Sequence, residues 1–218
     1  MPASDPAAFS ALLLAGGRSS RMGRDKALLP HPVSGQPLLL HQASLLRSLP
    51  GCAELLLSAP ADRGYTLSGA RLVPDAEPDL GPLAGLAAGL AAATTSRLLV
   101  LAVDLPFVDA VFLQGLLPAS SRQAPGAGPV GHVPRRPDGL FEPLCSVYPV
   151  SNDSRSAVSS ALARRELSLQ RLLTAACAGG WMRPRPIGPE DSARFVNWNT
   201  PGDLPDAPHH TRAQSNLR

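Results

Sequence analysis

Along the chain, short continuous apolar runs alternate with stretches in which leucine and alanine recur at helical spacing. Residues 12–15, Leu-Leu-Leu-Ala, read as a buried parallel strand that Gly16 and Gly17 break. Residues 38–49 carry leucine at helical spacing, and 53–57 form a short strand ending at Ser58. Residues 71–75 predict another short strand, ending on the Asp75 carboxylate. The stretch 81–93, GPLAGLAAGLAAA, predicts a helix with Pro82 in its first turn, where the missing N–H is no loss. Its small residues allow it to lie close against a sheet or a ligand. The run 98–103, Leu-Leu-Val-Leu-Ala-Val, is the strongest central-strand candidate, and it stops at Asp104. A helix follows around 108–117.

The second half is less regular. Residues 120–129 form a Gly/Ala/Pro/Ser loop, and 130–133 and 144–147 predict strands with a change of direction. Residues 154–163 and 167–176 read as helices, the second with Leu169, Leu172 and Leu173 on one face, and 181–187 as an extended piece. Residues 1–8 look like a frayed lead-in and 30–37 a turn-rich excursion. Residues 206–218 show no apolar periodicity and read as a disordered tail, with His209 and His210 solvated rather than metal-bound. The alternation predicts an α/β fold, a doubly wound and mostly parallel sheet. Ligands of such sheets bind beyond the carboxyl ends of the strands. Gly16, Gly17, Ser58, Asp75 and Asp104 all fall at predicted strand ends.

Residues 16–26 carry the most specific chemistry. Two glycines free backbone N–H groups, Arg18, Arg21 and Arg24 supply fixed cations, and the loop closes on Asp25 and Lys26. That combination suits a polyphosphate. It is not a Walker loop, because Gly17 to Gly23 is one residue too long and Ala27 follows the lysine. Nor is it a dinucleotide fingerprint, because the first two glycines are adjacent and Ser19 is not glycine. Of the 20 lysines and arginines, Lys26 is the single lysine. A compact ammonium reaches between phosphate oxygens where a planar guanidinium does not fit.

Composition narrows the classes. A chain of 218 residues suits one well-buried α/β domain. A net charge of +3 points to anionic ligands, yet the charge is mild and the aromatics are few, so nucleic acid is set aside. No apolar run approaches a membrane span, and the first residues lack the pattern of a signal peptide. Cys52, Cys145 and Cys177 are odd in number and widely spaced, which suggests reduced thiols, a cytoplasmic location and no zinc site.

Asp104 has two readings from its surroundings, a Mg²⁺ ligand or an N-cap for the helix after it. Taken with the glycine loop and Lys26, the metal reading is preferred. Asp75 reads either as a base or ribose contact or as a plain loop residue, and Asp109 as a helix-start residue. No G-x-S-x-G elbow or Ser/His/Asp arrangement is visible. His31, His41 and His132 read as surface or helix-packing residues.

The string L-A-G-G-x-x-x-R-M-G-x-D-K, from Leu14 to Lys26, resembles the signature loop of the NTP transferases, and within them the molybdenum cofactor guanylyltransferase group. Gly81-Pro82-Leu83-Ala84-Gly85 resembles that group's G-P-L-A-G segment, and 101–107 its strand ending in D-x-P. Phe141-Glu142-Pro143-Leu144 resembles the strand bordering its acceptor site, and 194–204 its closing F-x-N-x-N-T-P motif. The resemblance implies a Rossmann-like fold with helices on both faces. It implies a single NTP-transferase domain over 1–205, with nucleotide binding in about 9–118 and acceptor binding in about 119–205. It also implies Mg²⁺ as cofactor, with GTP donating GMP to molybdopterin. Nucleotide contacts then fall on Leu14, Ala15, Gly16, Gly17, Lys26, Ser58 and Asp75, and the metal on Asp104. Lys26, Arg21 and Asp104 would carry the catalysis, and Asn197 and Asn199 would return to the acceptor side of the cleft. Proteins that deliver and collect a labile cofactor are expected partners. The competing readings are a cytidylyltransferase of the same cofactor, a sugar-phosphate nucleotidyltransferase, and a nucleotide-binding regulatory protein without turnover.

Overall fold

The structure is a computed structural model and describes residues 8–16, 25–73, 80–117 and 128–198. Seven strands form one sheet: β1 Phe9–Leu14, β2 Cys52–Ser58, β3 Ala70–Leu72, β4 Arg97–Ala102, β5 Gly131–Arg135, β6 Cys145–Pro149 and β7 Met182–Pro186. Their spatial order is β3-β2-β1-β4-β6-β5-β7. β1 pairs parallel with β2 and β4, while β6 runs antiparallel to both β4 and β5. The sheet is therefore mostly parallel, with the expected change of direction in the second half.

Every residue of β1 and β4 is buried, as continuous apolar runs require when both faces of a sheet are covered. Helices α1 Leu38–Ser48 and α3 Ala110–Leu116 cover one face, where Leu13, Leu46, Leu99 and Leu113 share a core. Helices α2 Pro82–Ala92, α4 Asn152–Ala163 and α5 Leu169–Ala178 cover the other, with Leu12, Leu86, Val100 and Leu173. The glycines of α2 set its distance from the sheet. A Cβ on Gly89 would stand 2.5 Å from Leu12 Cδ2, and one on Gly85 2.6 Å from Ser58 Oγ.

The structure moves several expected boundaries. β3 ends at Leu72, short of Asp75, which lies outside the described residues with most of 120–129 and all of 206–218. α4 starts at Asn152 rather than at 154, because Ser151 caps it and forms a reciprocal capping box with Ser154. The turn-rich excursion is closed by a bridge between Pro30 and Pro37. Asp109 caps α3 by accepting the Phe112 N–H at 2.8 Å, so the capping role considered for Asp104 belongs five residues later.

Candidate active site

The ends of β1, β2 and β4 are level with one another. Leu14 lies opposite Ser58 on one side and Ala102 on the other. The pairing runs one step past the strands: Ala15 N–H donates to the Ser58 carbonyl at 2.9 Å, and Val103 N–H to the Leu14 carbonyl at 3.0 Å. This register sets the exposed Gly16 beside the turn that carries Asp104.

Lys26 opens a 3-10 turn, Lys26–Leu28, capped by Asp25, whose Oδ1 accepts the Ala27 N–H at 3.1 Å. Its Nζ stands 3.4 Å from Asp104 Oδ2, and the two side chains are 19% and 24% exposed. A tight charge-assisted contact would be nearer 2.8 Å. The pair is loose and reachable from solvent.

The Asp104 turn is held from three directions. Gln42 on α1 donates from Nε2 to the Leu105 carbonyl at 2.6 Å, and His31 Nε2 lies 2.8 Å from the Pro106 carbonyl. The Val33 and Ser34 N–H groups both point at His31 Nδ1, which places the ring proton on Nε2 and makes that nitrogen the donor. His31 is buried and stacks on His41 at 3.5 Å, so of the two roles expected for it packing is the one realised. Burial and the neighbouring His31 lower the His41 pKa. From the far end of the chain, Trp198 N–H donates to the Asp104 carbonyl at 3.2 Å, and its buried ring meets Phe107 edge-on.

The other sequence-derived candidates separate by place. Leu14 and Ala15 are buried at the rim. Ser58 ends β2 but is 1% exposed, its hydroxyl turned under α2 toward Gly85. Asn197 is exposed, next to the Trp198 whose N–H reaches the Asp104 carbonyl. Beside it is an open depression of about 400 Å³ lined by Phe107, Asp109, Glu190, Ala193, Arg194 and Val196. Burial alone would raise the Asp109 pKa, but the Phe112 N–H and the Arg194 guanidinium outweigh it and hold the carboxyl low. Glu142, in the expected acceptor strand, is paired with Arg136 at 3.4 Å, and burial raises its pKa. His132 Nδ1 lies 3.0 Å from the Leu116 carbonyl, the packing role expected of it. Gly17, Arg21, Asp75 and Asn199 lie outside the described residues.

Sequence reasoning did not single out the residues that hold the lysine turn. Tyr65 donates its hydroxyl hydrogen to Asp25 Oδ2, and Arg63 Nη1 stands 3.0 Å from the same oxygen. An aspartate just before a turn is a capping signal. Its long-range partners, some 40 residues away, leave no local signal.

Residues 11–178 match the MobA-like NTP transferase domain. The chain belongs to that family. Among its relatives, a molybdenum cofactor guanylyltransferase of Pseudomonas putida strain F1 is 37% identical over 200 residues, covering 90% of this chain and 96% of that protein. A probable molybdenum cofactor guanylyltransferase of Opitutus terrae is 34% identical, covering 90% and 93%. The fold is shared with the molybdopterin-guanine dinucleotide biosynthesis protein A of Archaeoglobus fulgidus, at a TM-score of 0.66 and 20% identity over 89% of this chain and 94% of that one. A nucleotidyl transferase of Methanothermobacter also has a TM-score of 0.66, with 90% and 94% covered. In this MobA-like NTP transferase domain, Lys26 and Asp104 are thus brought together by a fold that solved nucleotidyltransferases share. No helix among the described residues is long and apolar enough to cross a membrane.

Proposed function

We propose that this enzyme transfers GMP from GTP to molybdopterin and releases pyrophosphate, forming the guanine dinucleotide form of the cofactor. The observation that carries the reading is the approach of Lys26 to Asp104, 3.4 Å apart on the carboxyl rim, in a chain whose full-length relatives are named guanylyltransferases. The acceptor's phosphate is already an oxyanion. Its oxygen forms a bond to the α-phosphorus of GTP while the bond from that phosphorus to the bridging oxygen breaks, and pyrophosphate leaves with the electron pair. No side chain has to remove a proton for this. The protein's tasks are alignment and charge neutralisation.

Gly16, exposed at the end of β1, lets the phosphates approach the backbone. Lys26 neutralises phosphate charge, and Arg21 is assigned the same task from the sequence motif. Asp75 is assigned to the nucleoside and Asn197 and Asn199 to the acceptor side, a reading supported for Asn197 by its neighbour Trp198, whose N–H donates to the Asp104 carbonyl. Magnesium takes one or two carboxylates together with substrate phosphates and waters. A partly exposed carboxylate at this rim, Asp104, fits that demand. When bound there, Mg²⁺ would supply further neutralisation of phosphate charge. We place the reaction in the cytoplasm, with proteins that deliver and collect the cofactor as partners.

The test is pyrophosphate release with Mg²⁺ and molybdopterin, with GTP, CTP, ATP and UTP presented separately. Release with GTP alone is expected. Release with CTP alone would keep the chemistry and move the protein to the cytidylyl reaction, and silence with all four would overturn the transferase reading.

A further inference from the structure

We infer that Tyr65 and Arg63 are positioning residues for Lys26, acting through Asp25; the inference rests on the transferase reading above. Asp25 sits beside the lysine in a loop that receives a polyanion, where an uncompensated carboxylate would repel the ligand. Both of its oxygens are engaged. Oδ1 accepts the Ala27 N–H at 3.1 Å and so starts the turn that carries Lys26. Oδ2 accepts the Tyr65 hydroxyl and lies 3.0 Å from Arg63 Nη1.

Both partners come from the connection between β2 and β3. Arg63 ends a 3-10 turn, Ala61–Arg63, and Gly64 follows with φ of 60°, a left-handed conformation that glycine adopts without strain. The chain bends there, and the side chains on either side of the glycine converge on one carboxylate. On the other side of Lys26, Ala27 is 1% exposed in the core. The lysine backbone is therefore pinned between a capped carboxylate and a buried methyl, while its side chain is 19% exposed and its Nζ stands 3.4 Å from Asp104 Oδ2.

The two partners divide the work. Arg63 cancels the Asp25 charge, and Tyr65 sets the direction of the carboxylate. Burial, followed by the hydrogen bond to Asp25 and its charge, raises the Tyr65 pKa, so the phenol keeps its proton and remains a donor. These groups touch the cap of the lysine turn, so their effect on the ligand is expected to pass through Lys26.

That route is tested by a double-mutant cycle read by calorimetric GTP binding and by kcat/KM. Tyr65→Phe keeps the ring and removes the donor, and is expected to weaken both about tenfold, the loss typical of a hydrogen bond to a charged group. In a Lys26→Ala background the same change is expected to cost less than about twofold, because the group it positions is gone. An equal tenfold loss in both backgrounds, or a loss explained by a lowered melting temperature alone, would overturn the inference. Arg63→Lys and Arg63→Met separate charge from packing: binding is expected to survive better in the lysine variant, with the gap closing at high salt. Equal behaviour of the two would overturn the charge role. GTP binding reports on the clamp whatever the acceptor is. A wild type that binds GTP without turnover would therefore count against the transferase reading alone.

Discussion

At the amino end of the sheet the polar groups around Glu54 are consumed by one another, whereas at the carboxyl end those around Asp104 are left within reach. Glu54 Oε1 accepts from the Ser10 hydroxyl at 2.6 Å and from the Thr94 N–H and hydroxyl at 2.7 Å each, and Oε2 accepts from Arg71 at 2.8 Å. Burial alone would raise its pKa, but these four donors together pull it down to about 2. Among the described residues the Asp104 carboxylate meets Lys26 loosely at 3.4 Å, and the turn around it is fastened by backbone carbonyls. The same residue chemistry is spent on stability at one end and left partly exposed at the other. Orientation at the carboxyl end comes from behind, through Gln42, His31 and Trp198, all of which hold backbone carbonyls rather than the Asp104 carboxylate.

Three substitutions break or sharpen this contrast. The largest effect is expected for Asp104→Ala. Turnover should fall by roughly 10²–10³-fold, the size seen when a group stabilising transition-state charge is removed, while the melting temperature stays near wild type. Steady-state kinetics beside a thermal melt checks it, and a large loss of stability with modest loss of rate would reverse the assignment of the two ends. Glu54→Gln should do the opposite, costing on the order of 3 kcal/mol at neutral pH with little change in kcat for the folded enzyme. The sign follows from the lowered folded-state pKa. The contribution is complete above the ordinary carboxylate value near 4.5 and is lost as pH falls toward about 2. Denaturant titrations at pH 7 and pH 3 should therefore show the gap between wild type and variant shrinking in acid. The smallest effect is expected for Gly89→Ala. The new methyl meets Leu12 Cδ2 at 2.5 Å and Leu98 Cδ2 at 3.1 Å, away from the rim. Overpacking of about 1–3 kcal/mol is offset by the better helix propensity of alanine, about 1 kcal/mol. A small drop in melting temperature with unchanged KM for GTP is the expected outcome.

Local signals explain what was legible from the sequence. The apolar runs of β1 and β4 and the small-residue helix α2 announce themselves, because burial on both faces and close helix packing each demand a distinctive composition. Asp104 was legible because it follows such a run, and Lys26 because it is the single lysine and closes the glycine loop. Boundaries set by single side-chain bonds were not. α4 begins at Asn152 because Ser151, one of several serines there, happens to be the cap. Ser58 was placed correctly at a strand end, but alternation along β2 turns its hydroxyl under α2, a direction that a strand-end argument does not supply. The supports of the site, His31 to Pro106, Gln42 to Leu105 and Tyr65 to Asp25, span 75, 63 and 40 residues. Only the assembled fold brings them together.

The central claim is that the Lys26–Asp104 rim moves a nucleotidyl group. Following GTP labelled at its α-phosphorus, with Mg²⁺ and molybdopterin, tests it most directly. The account predicts that label enters a molybdopterin–GMP product with one pyrophosphate released per label, and that Lys26→Ala and Asp104→Ala lose this transfer while remaining folded. Label that stays in GTP, or transfer at an undiminished rate by both variants, would contradict it.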